Sequence, residues 1–149
     1  MLDANLLLLY LVGAVHPLGI GRKRLTEYDP SDLILLHKHI GRKPRHVTTP
    51  NILTEVSNLL GSGAQQLVPN GASALRDFAR DVEETYVPSC EAVFHSAYLK
   101  LGLSDCVIME LAKRETKIIS ADWALCGLLE SAGLKVENFN HARTPRKDR

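Results

Sequence analysis

Aromatic residues and cysteines are scarce in this sequence of 149 residues. Phe, Trp and Tyr make up 5% of the chain, which leaves few side chains that could stack on the splayed bases of single-stranded nucleic acid. The three cysteines, Cys90, Cys106 and Cys126, are odd in number and contain no C-x-x-C pair. This pattern argues against a disulfide framework and against a zinc site. The simplest interpretation is a reduced, cytoplasmic setting.

The sequence also lacks an apolar segment long enough to cross a membrane. The apolar run from Leu6 to Val15 has ten residues, whereas a membrane-spanning helix needs about 20. A run of this length would suit an export signal, but such a signal begins with positive charge. Here no Lys or Arg precedes Arg22, and the only early charge is the negative Asp3. We therefore expect neither a membrane protein nor an exported one.

Positive and negative charges are nearly balanced, since the sequence has 18 Lys and Arg and 17 Asp and Glu, which gives a net charge of +1. Any affinity for nucleic acid would have to come from local clusters of cations. The length, with 45% hydrophobic and 23% charged residues, suits one globular domain with a real core. We assign residues 1–140 to this domain. Residues 141–149 are basic and contain proline, and we expect them to form a flexible tail.

Apolar segments of strand length alternate with segments of helix length. Short strands are predicted at residues 1–3 and at "RHVTT", "TKIISAD" and "LKVENFN". The predicted helices are "NLLLLYLVGA", "PSDLILLHKHIG", "PNILTEVSNLLGSG", "ASALRDFARDVEETY", "CEAVFHSAYLKLG", "SDCVIMELAKRE" and "WALCGLLESAG". Strands that alternate with helices favour a parallel sheet with both faces covered. The predicted fold class is therefore α/β, a single three-layer domain whose central, mostly parallel sheet is flanked by helices.

Four separated acids stand at element ends or on largely apolar helix faces. Asp3 and Asp122 each end a predicted strand, so both should lie at the carboxyl edge of the sheet, where ligands gather. Glu55 lies inside the helix after "HVTTP", and Asp105 begins another helix. Each acid alone has a structural interpretation, since Asp3 and Asp122 could cap helices, Asp105 could complement a helix dipole and Glu55 could be solvated. Only the four together indicate a site.

Four stretches of the chain, taken in order, resemble the PIN-domain nuclease family from Met1 to about Phe139. They are "LDANLLL", "TTPNILTEVSNLL", "GLSDCVIMELA" and "IISADWAL…LLESAGLKVENF". The resemblance implies a PIN-like fold in which Asp3, Glu55, Asp105 and Asp122 form the catalytic acidic quartet, supported by Asn5 and Ser120. One departure is that only Met1 and Leu2 precede the first acid, so the first strand is expected to be stunted or the native start to lie upstream.

Acids gathered in one pocket need a counter-charge. Two carboxylates about 5 Å apart repel by about 3 kcal/mol at an effective dielectric near 20. A hard divalent cation relieves this repulsion, and oxygen-only ligands favour Mg²⁺ or Mn²⁺ over Zn²⁺. We expect Asp3, Asp105 and Asp122 to bind the metal, and Glu55 to hold or deprotonate the attacking water.

Local groups of cationic side chains could form a binding surface for a phosphate backbone. The candidate nucleic-acid-binding residues are Arg22, Lys23, Arg24, Arg42, Lys43 and Arg45, with further cations in the tail. Such clusters are typical of phosphate-binding rims, although each could equally be a solvated face. The histidines His37, His39 and His46 are interpreted as surface or RNA-contacting residues rather than ligands, and Trp123 as a core residue.

The resemblance implies a metal-dependent endoribonuclease similar to the toxins of bacterial toxin–antitoxin or defence systems. Its implied partners are an RNA substrate, a small antitoxin protein and a second copy in a homodimer. One alternative is a PIN-like RNA-processing nuclease outside a toxin pair. Another is a non-catalytic Mg²⁺-binding phosphoacceptor or binding module of flavodoxin-like topology, but that class needs paired acids at the first strand and a lysine at a late strand end, where "IISAD" has an acid.

Overall fold

The computed structural model describes residues 1–41, 45–114 and 116–143. The helices in these residues are α1 (Ala4–Val15), α2 (Pro30–Ile40), α3 (Pro50–Leu60), α4 (Gly71–Asp81), α5 (Ser89–Ala92), α6 (Tyr98–Leu101), α7 (Leu103–Ala112), α8 (Trp123–Ser131) and α9 (Phe139–Ala142). The strands are β1 (Val47–Thr48), β2 (Glu83–Glu84), β3 (Ile118–Ser120) and β4 (Val136–Asn138).

Local sequence signals explain where the long helices begin and end. Asp3 caps α1, whose leucine-rich run is buried on nearly every side, as expected for a helix that is apolar all round. Thr49 caps α3, Pro50 occupies its first turn, and Gly61 ends it at φ 68°, a backbone conformation that glycine adopts without strain. Asp29 caps α2, and Asp32 completes the capping box from within the helix.

The strands are short, and both pairs are parallel. β1 pairs with β2, and β3 pairs with β4 so that Ser120 lies opposite Asn138. The expected first strand is reduced to one bridge, in which Leu2 pairs in parallel with Ile119. The prediction of a mixed α/β fold with parallel pairing is confirmed, but the described residues are mostly helical and place their strands in two two-stranded sheets.

Two predicted helices and one predicted boundary differ from the structure. In "ASALRDFARDVEETY" the helix stops at Asp81, because the next residues exchange main-chain hydrogen bonds with the β1 segment instead. "CEAVFHSAYLKLG" forms α5 and α6 separately, since the His95 side chain accepts the Ala97 N–H between them at 3.1 Å. The expected domain boundary after residue 140 falls inside α9.

The core is built around α1. Its leucines pack with apolar residues of α2, α3, α7, α8 and β3, and a smaller cluster of Val87, Ala92, Cys106, Val107 and Leu111 lies beneath α5. Because the N-terminus of α1 begins directly after the Leu2 bridge, the core fixes this helix end beside the carboxyl end of β3. Across the described parts of the chain, no helix combines the length and apolar character needed to cross a membrane.

Candidate active site

Asp3 is held by three donors from two different elements. Its Oδ1 accepts the N–H of Leu6 at 2.8 Å, which is the capping bond of α1. Its Oδ2 accepts the N–H of Ala121 at 2.9 Å and a short hydrogen bond from the Ser120 hydroxyl. Only 5% of the residue is exposed. The carboxylate therefore joins the start of α1 to the loop that follows β3.

Asp122 lies on the same edge, next to Asp3. Its N–H donates to the Ser120 Oγ at 3.0 Å, and its Oδ1 accepts the Leu125 N–H at 2.9 Å as the cap of α8. Two expectations are thus confirmed together, because both acids cap helices and both lie at the carboxyl end of a parallel pairing. Unlike Asp3, Asp122 is exposed.

Asp105 is the acid whose pKa is raised by the charges of the other three. It lies in the first turn of α7 and is half-buried. Burial and, after it, the negative charges of Asp122, Asp3 and Glu55 together raise the pKa of its carboxyl from an ordinary 3.8 to about 7. Near neutral pH the Asp105 carboxyl is therefore only partly ionised. The charges of three acids that are widely separated in sequence thus reach Asp105.

The pKa of Asp3 is also raised, first because burial disfavours its charged form. The hydrogen bonds from Ser120, Leu6 and Ala121 oppose this shift, and the charge of Asp122 adds to it. Burial of Asp3 therefore outweighs the hydrogen bonds that stabilise its charged form.

Glu55 approaches the site from α3. Its side chain is exposed and lines a groove of about 430 Å³ together with Asn51, Thr54, Asn58 and Ser104. Glu55 is the acid of the four that lines this groove, and Ser104, which directly precedes Asp105, is its contact with α7. A larger concave region of about 920 Å³ lies between α1, α4 and β2, but none of the four acids lines it, so we place the candidate site at the smaller groove.

The acids offer the kind of oxygen ligand that divalent metal ions prefer, but their arrangement does not form an assembled metal site. Within residues 1–41, 45–114 and 116–143, no group of three or more His, Cys, Asp or Glu side chains is placed so that it could hold one. Mg²⁺ is nevertheless commonly bound through one or two carboxylates while it keeps several waters. Burial and three nearby acids raise the pKa of Asp105, and carboxylate oxygens are the ligands that Mg²⁺ and Mn²⁺ prefer. The described residues therefore provide carboxylate oxygens but no preassembled cage for a metal ion.

The remaining predicted residues differ in how directly they adjoin the acids. Ser120 is fully buried and bridges Asp3 and Asp122, whereas Asn5 lies exposed in the first turn of α1.

The predicted cations also divide into two kinds. Arg22, Lys23 and Arg24 are exposed, and Lys23 reaches the carbonyl oxygens of Gln66 and Leu67 at 3.5 and 3.3 Å. Arg45 is paired with Glu83 at 2.8 Å, while Arg42 and Lys43 lie outside the described residues.

Sequence reasoning missed the contribution of the last helix. The Asn140 Nδ2 donates to the Ala121 carbonyl at 2.6 Å, so α9 is attached to the loop that holds Asp3. Arg143 was assigned to a flexible tail, yet its guanidinium pairs with Asp32 at 3.0 and 2.9 Å and lies over the Tyr28 ring. The prediction of Trp123 as a core residue is wrong, since 62% of it is exposed. As the first residue of α8, it lies at the edge of the sheet and not beneath it.

We compared the chain with protein-family models, curated proteins and solved structures, and nothing in the three comparisons matches it.

Proposed function

We propose that this protein is a PIN-like, Mg²⁺- or Mn²⁺-dependent endoribonuclease whose acidic quartet is Asp3, Glu55, Asp105 and Asp122. The observation that carries the proposal is that Asp3 and Asp122 share Ser120 at one edge of the sheet and that their charges, with that of Glu55, reach the half-buried Asp105. Perturbed carboxylates that gather beside a groove are typical of functional sites. Helix capping explains Asp3 and Asp122, the first turn of α7 suits Asp105, and Glu55 is solvated, but none of these local roles requires the charges of the other three acids to reach Asp105.

The residues of the quartet take different roles in this proposal. Asp105 and Asp122 would hold the cation. Asp3 would contribute the lone pair of its carboxylate that the three hydrogen-bond donors leave free. A bound divalent cation would orient a phosphodiester, activate a water and stabilise the leaving oxygen. Glu55 is exposed on the groove, so its carboxylate can accept a hydrogen bond from a water there and take up its proton. Ser120 keeps Asp3 and Asp122 in register.

The partners belong to the proposal as well. The exposed Arg22 and Arg24 can neutralise phosphates of an RNA substrate. A small antitoxin, a homodimer and a cytoplasmic, bacterial toxin–antitoxin or defence setting follow from the resemblance of the four sequence stretches to PIN-domain nucleases. A PIN-like RNA-processing nuclease outside a toxin pair would use the same pocket.

The alternative from another class is a Mg²⁺-binding phosphoacceptor. The exposed, capping carboxylate of Asp122 at the end of a parallel strand is the feature that favours it. Such a module would accept a phosphoryl group from a small donor such as acetyl phosphate and would leave RNA intact.

The test is an incubation of purified protein with labelled RNA and with flap DNA, each with Mg²⁺, Mn²⁺ or EDTA. We expect RNA cleavage that requires metal and falls by about 100-fold or more in Asp105→Asn. Glu110→Gln is the matched control, because it removes a carboxylate from the same helix that is paired with Lys113 at the surface. Full activity in both Asp105→Asn and Glu55→Gln contradicts the site assignment, and phosphorylation by acetyl phosphate without cleavage supports the alternative.

A further inference from the structure

The larger concave region, between α1, α4 and β2, has no role in the proposed nuclease. We call it the α1–α4 cavity. Its volume of about 920 Å³ falls within the range of about 300–1,000 Å³ that is typical of small-molecule sites. The C-terminal half of α1 lines it, whereas Asp3 caps the N-terminus of the same helix. The rise of an α-helix separates the two places by roughly 10–16 Å along the axis, so the cavity is distinct from the acidic site.

Three aromatic rings from separate parts of the chain meet in this cavity. They are Tyr10 on α1, His46 just before β1 and Phe78 on α4, and we define them as the three-ring wall. The ring centroid of His46 lies 5.3 Å from that of Tyr10 and 5.4 Å from that of Phe78, and the planes are inclined at 52° and 65°. Tilted contacts of this kind leave ring faces available, and the face of an aromatic ring attracts a cation.

The rim of the cavity carries one acid without a counter-charge. Three acids line the cavity, and two of them are paired with arginines. Asp77 pairs with Arg76 at 3.0 Å, and Glu83 pairs with Arg45 at 2.8 Å. Asp81 has no ion pair in the part of the chain that the structure describes. A single uncompensated negative charge complements a monovalent cation and disfavours an anion.

The unpaired charge and the aromatic wall lie on the same face of α4. Asp81 follows Phe78 by three positions, a spacing that makes two side chains neighbours on a helix surface. The carboxylate of Asp81 is exposed, while Phe78 is half-buried. Leu11 and Val15 add apolar surface from α1. The cavity therefore offers a negative charge, aromatic faces and an apolar floor to one ligand.

His46 gives independent support for a polar ligand group at the wall. Its Nε2 is shielded from water and has no hydrogen-bond partner within residues 1–41, 45–114 and 116–143. Buried polar atoms of native proteins nearly always have a partner, and a ligand can supply it. Burial lowers the pKa of His46 below its ordinary value, so the ring is neutral near pH 7. A neutral imidazole does not repel a cation, and one of its nitrogens can accept an N–H.

We propose that the α1–α4 cavity binds a small organic cation, a primary ammonium group on an apolar body, with the ammonium held between Asp81 and the three-ring wall. The apolar body lies along Leu11 and Val15. This second site requires neither RNA nor a metal ion, so it goes beyond the proposed nuclease function and does not depend on it.

Three probes of similar size and different charge test the proposal by isothermal titration calorimetry at pH 7 in EDTA. They are 2-phenylethylammonium, the neutral 2-phenylethanol and the anion phenylacetate. We expect saturable binding of the ammonium probe with a dissociation constant on the order of 1 mM. The alcohol should bind at least about fivefold more weakly, because it lacks the charge that the ring faces and Asp81 attract. Phenylacetate should show no saturable binding.

Variants then locate the bound ammonium. Asp81→Asn, at an exposed position that tolerates the change, should raise the dissociation constant of the ammonium probe by about threefold to fivefold and leave that of the alcohol unchanged. Phe78→Leu keeps an apolar side chain but removes a ring, and should weaken the ammonium probe by about twofold to fivefold. Glu130→Gln removes an exposed acid of α8 that does not line the cavity. It controls for the change in net charge and should bind as the wild type does, as should Asp105→Asn in the acidic site.

Each other outcome overturns a stated part of the proposal. No saturable binding of the ammonium probe at tens of millimolar overturns the site. Equal affinity for the ammonium and the alcohol overturns the class of ligand, since the cavity would then select only for apolar surface. Affinity for the ammonium that is lost in Asp105→Asn but kept in Asp81→Asn places the cation at the acidic site and overturns its assignment to the α1–α4 cavity. RNA cleavage enters none of these measurements, so the failure of the proposed nuclease function would leave the result intact.

Discussion

Replacing Asp105 by asparagine should stabilise the metal-free protein, although it removes a proposed catalytic group. Asparagine has nearly the shape of aspartate but carries no charge. In the wild type, burial and the charges of Asp122, Asp3 and Glu55 all act against ionisation of Asp105. The folded protein at alkaline pH therefore carries an unfavourable charge that the unfolded chain does not feel, and Asp105→Asn deletes it.

The size of the effect follows from the pKa. The difference between an ordinary 3.8 and about 7 corresponds to roughly 4 kcal/mol at a pH above both values. Because solvent reaches part of the carboxyl and screens it, we expect about 2 kcal/mol. For a chain of this length, 1 kcal/mol corresponds to about 2–4 °C. Asp105→Asn should then melt about 4–8 °C above the wild type at pH 8 in EDTA.

The raised pKa also fixes the direction in which the effect of Asp105→Asn changes with pH. The pKa of Asp105 is higher in the folded state than in the unfolded chain, so between about pH 4 and 7 the folded state binds more protons. The unfolding free energy contributed by this group therefore falls as the pH rises through that window. The advantage of Asp105→Asn should be largest at pH 8, smaller at pH 5, and small near pH 4, where the folded carboxyl is protonated and the unfolded one is only about half ionised.

Thermal melts from pH 4 to 8 check this, first in EDTA and then in millimolar Mg²⁺ or Mn²⁺. Glu110→Gln on the same helix should change the unfolding free energy by no more than about 0.5 kcal/mol, since its ion pair lies at the surface. Metal should stabilise the wild type more than Asp105→Asn, because a ligand stabilises only the state that binds it. Equal melting temperatures at pH 8 in EDTA, or a difference that does not vary with pH, would refute the reasoning.

Three further substitutions test other parts of the structure. Asp3→Asn should lower the free energy of unfolding by about 1–3 kcal/mol with and without metal, because the new NH₂ must face a donor; a higher metal-free melting temperature would mean that charge repulsion outweighs these bonds. Arg22→Ala with Arg24→Ala should weaken RNA binding and reduce the salt slope by about 0.7 for each lost phosphate contact, and an unchanged slope would make them ordinary surface cations. Arg143→Ala should destabilise the fold by about 3 kcal/mol in denaturant melts, since it leaves Asp32 buried without its partner; an effect below about 0.5 kcal/mol would contradict an anchored Arg143.

Elements with strong local signals were predictable from the sequence. The apolar run after Asp3 predicts α1, Pro50 and Gly61 bracket α3, and the short strand in "TKIISAD" matches β3. The edge shared by Asp3 and Asp122 was also predictable, because parallel strands place their carboxyl ends on the same side. In each case the residues that give the signal lie within or directly beside the element they predict, and the tertiary structure agrees with that prediction.

Features that depend on contacts between distant residues were not predictable. The predicted helix "ASALRDFARDVEETY" included residues 82–86. In the structure the N–H groups of Glu83 and Thr85 instead donate to carbonyl oxygens of the β1 segment. The ion pair of Arg143 with Asp32 joins residues 111 positions apart, and no periodicity reports such a pairing. Trp123 has the composition of a core residue, yet its place at the start of α8 leaves it at the edge. The pKa of Asp105 requires all four acids in three dimensions.

The two interpretations of Asp3, helix cap and site residue, describe one carboxylate and do not exclude each other. A carboxylate offers about four lone-pair positions, and three are used by the donors from Leu6, Ser120 and Ala121. About one remains for a cation, whereas Asp122 is exposed and has one recorded donor. If the proposed function holds, Asp105 and Asp122 supply most of the affinity for the metal. Asp3 then acts mainly by fixing the distance between the start of α1 and the loop after β3. Loss of Asp105 should accordingly abolish binding of the metal while the fold persists, and loss of Asp3 should weaken both together.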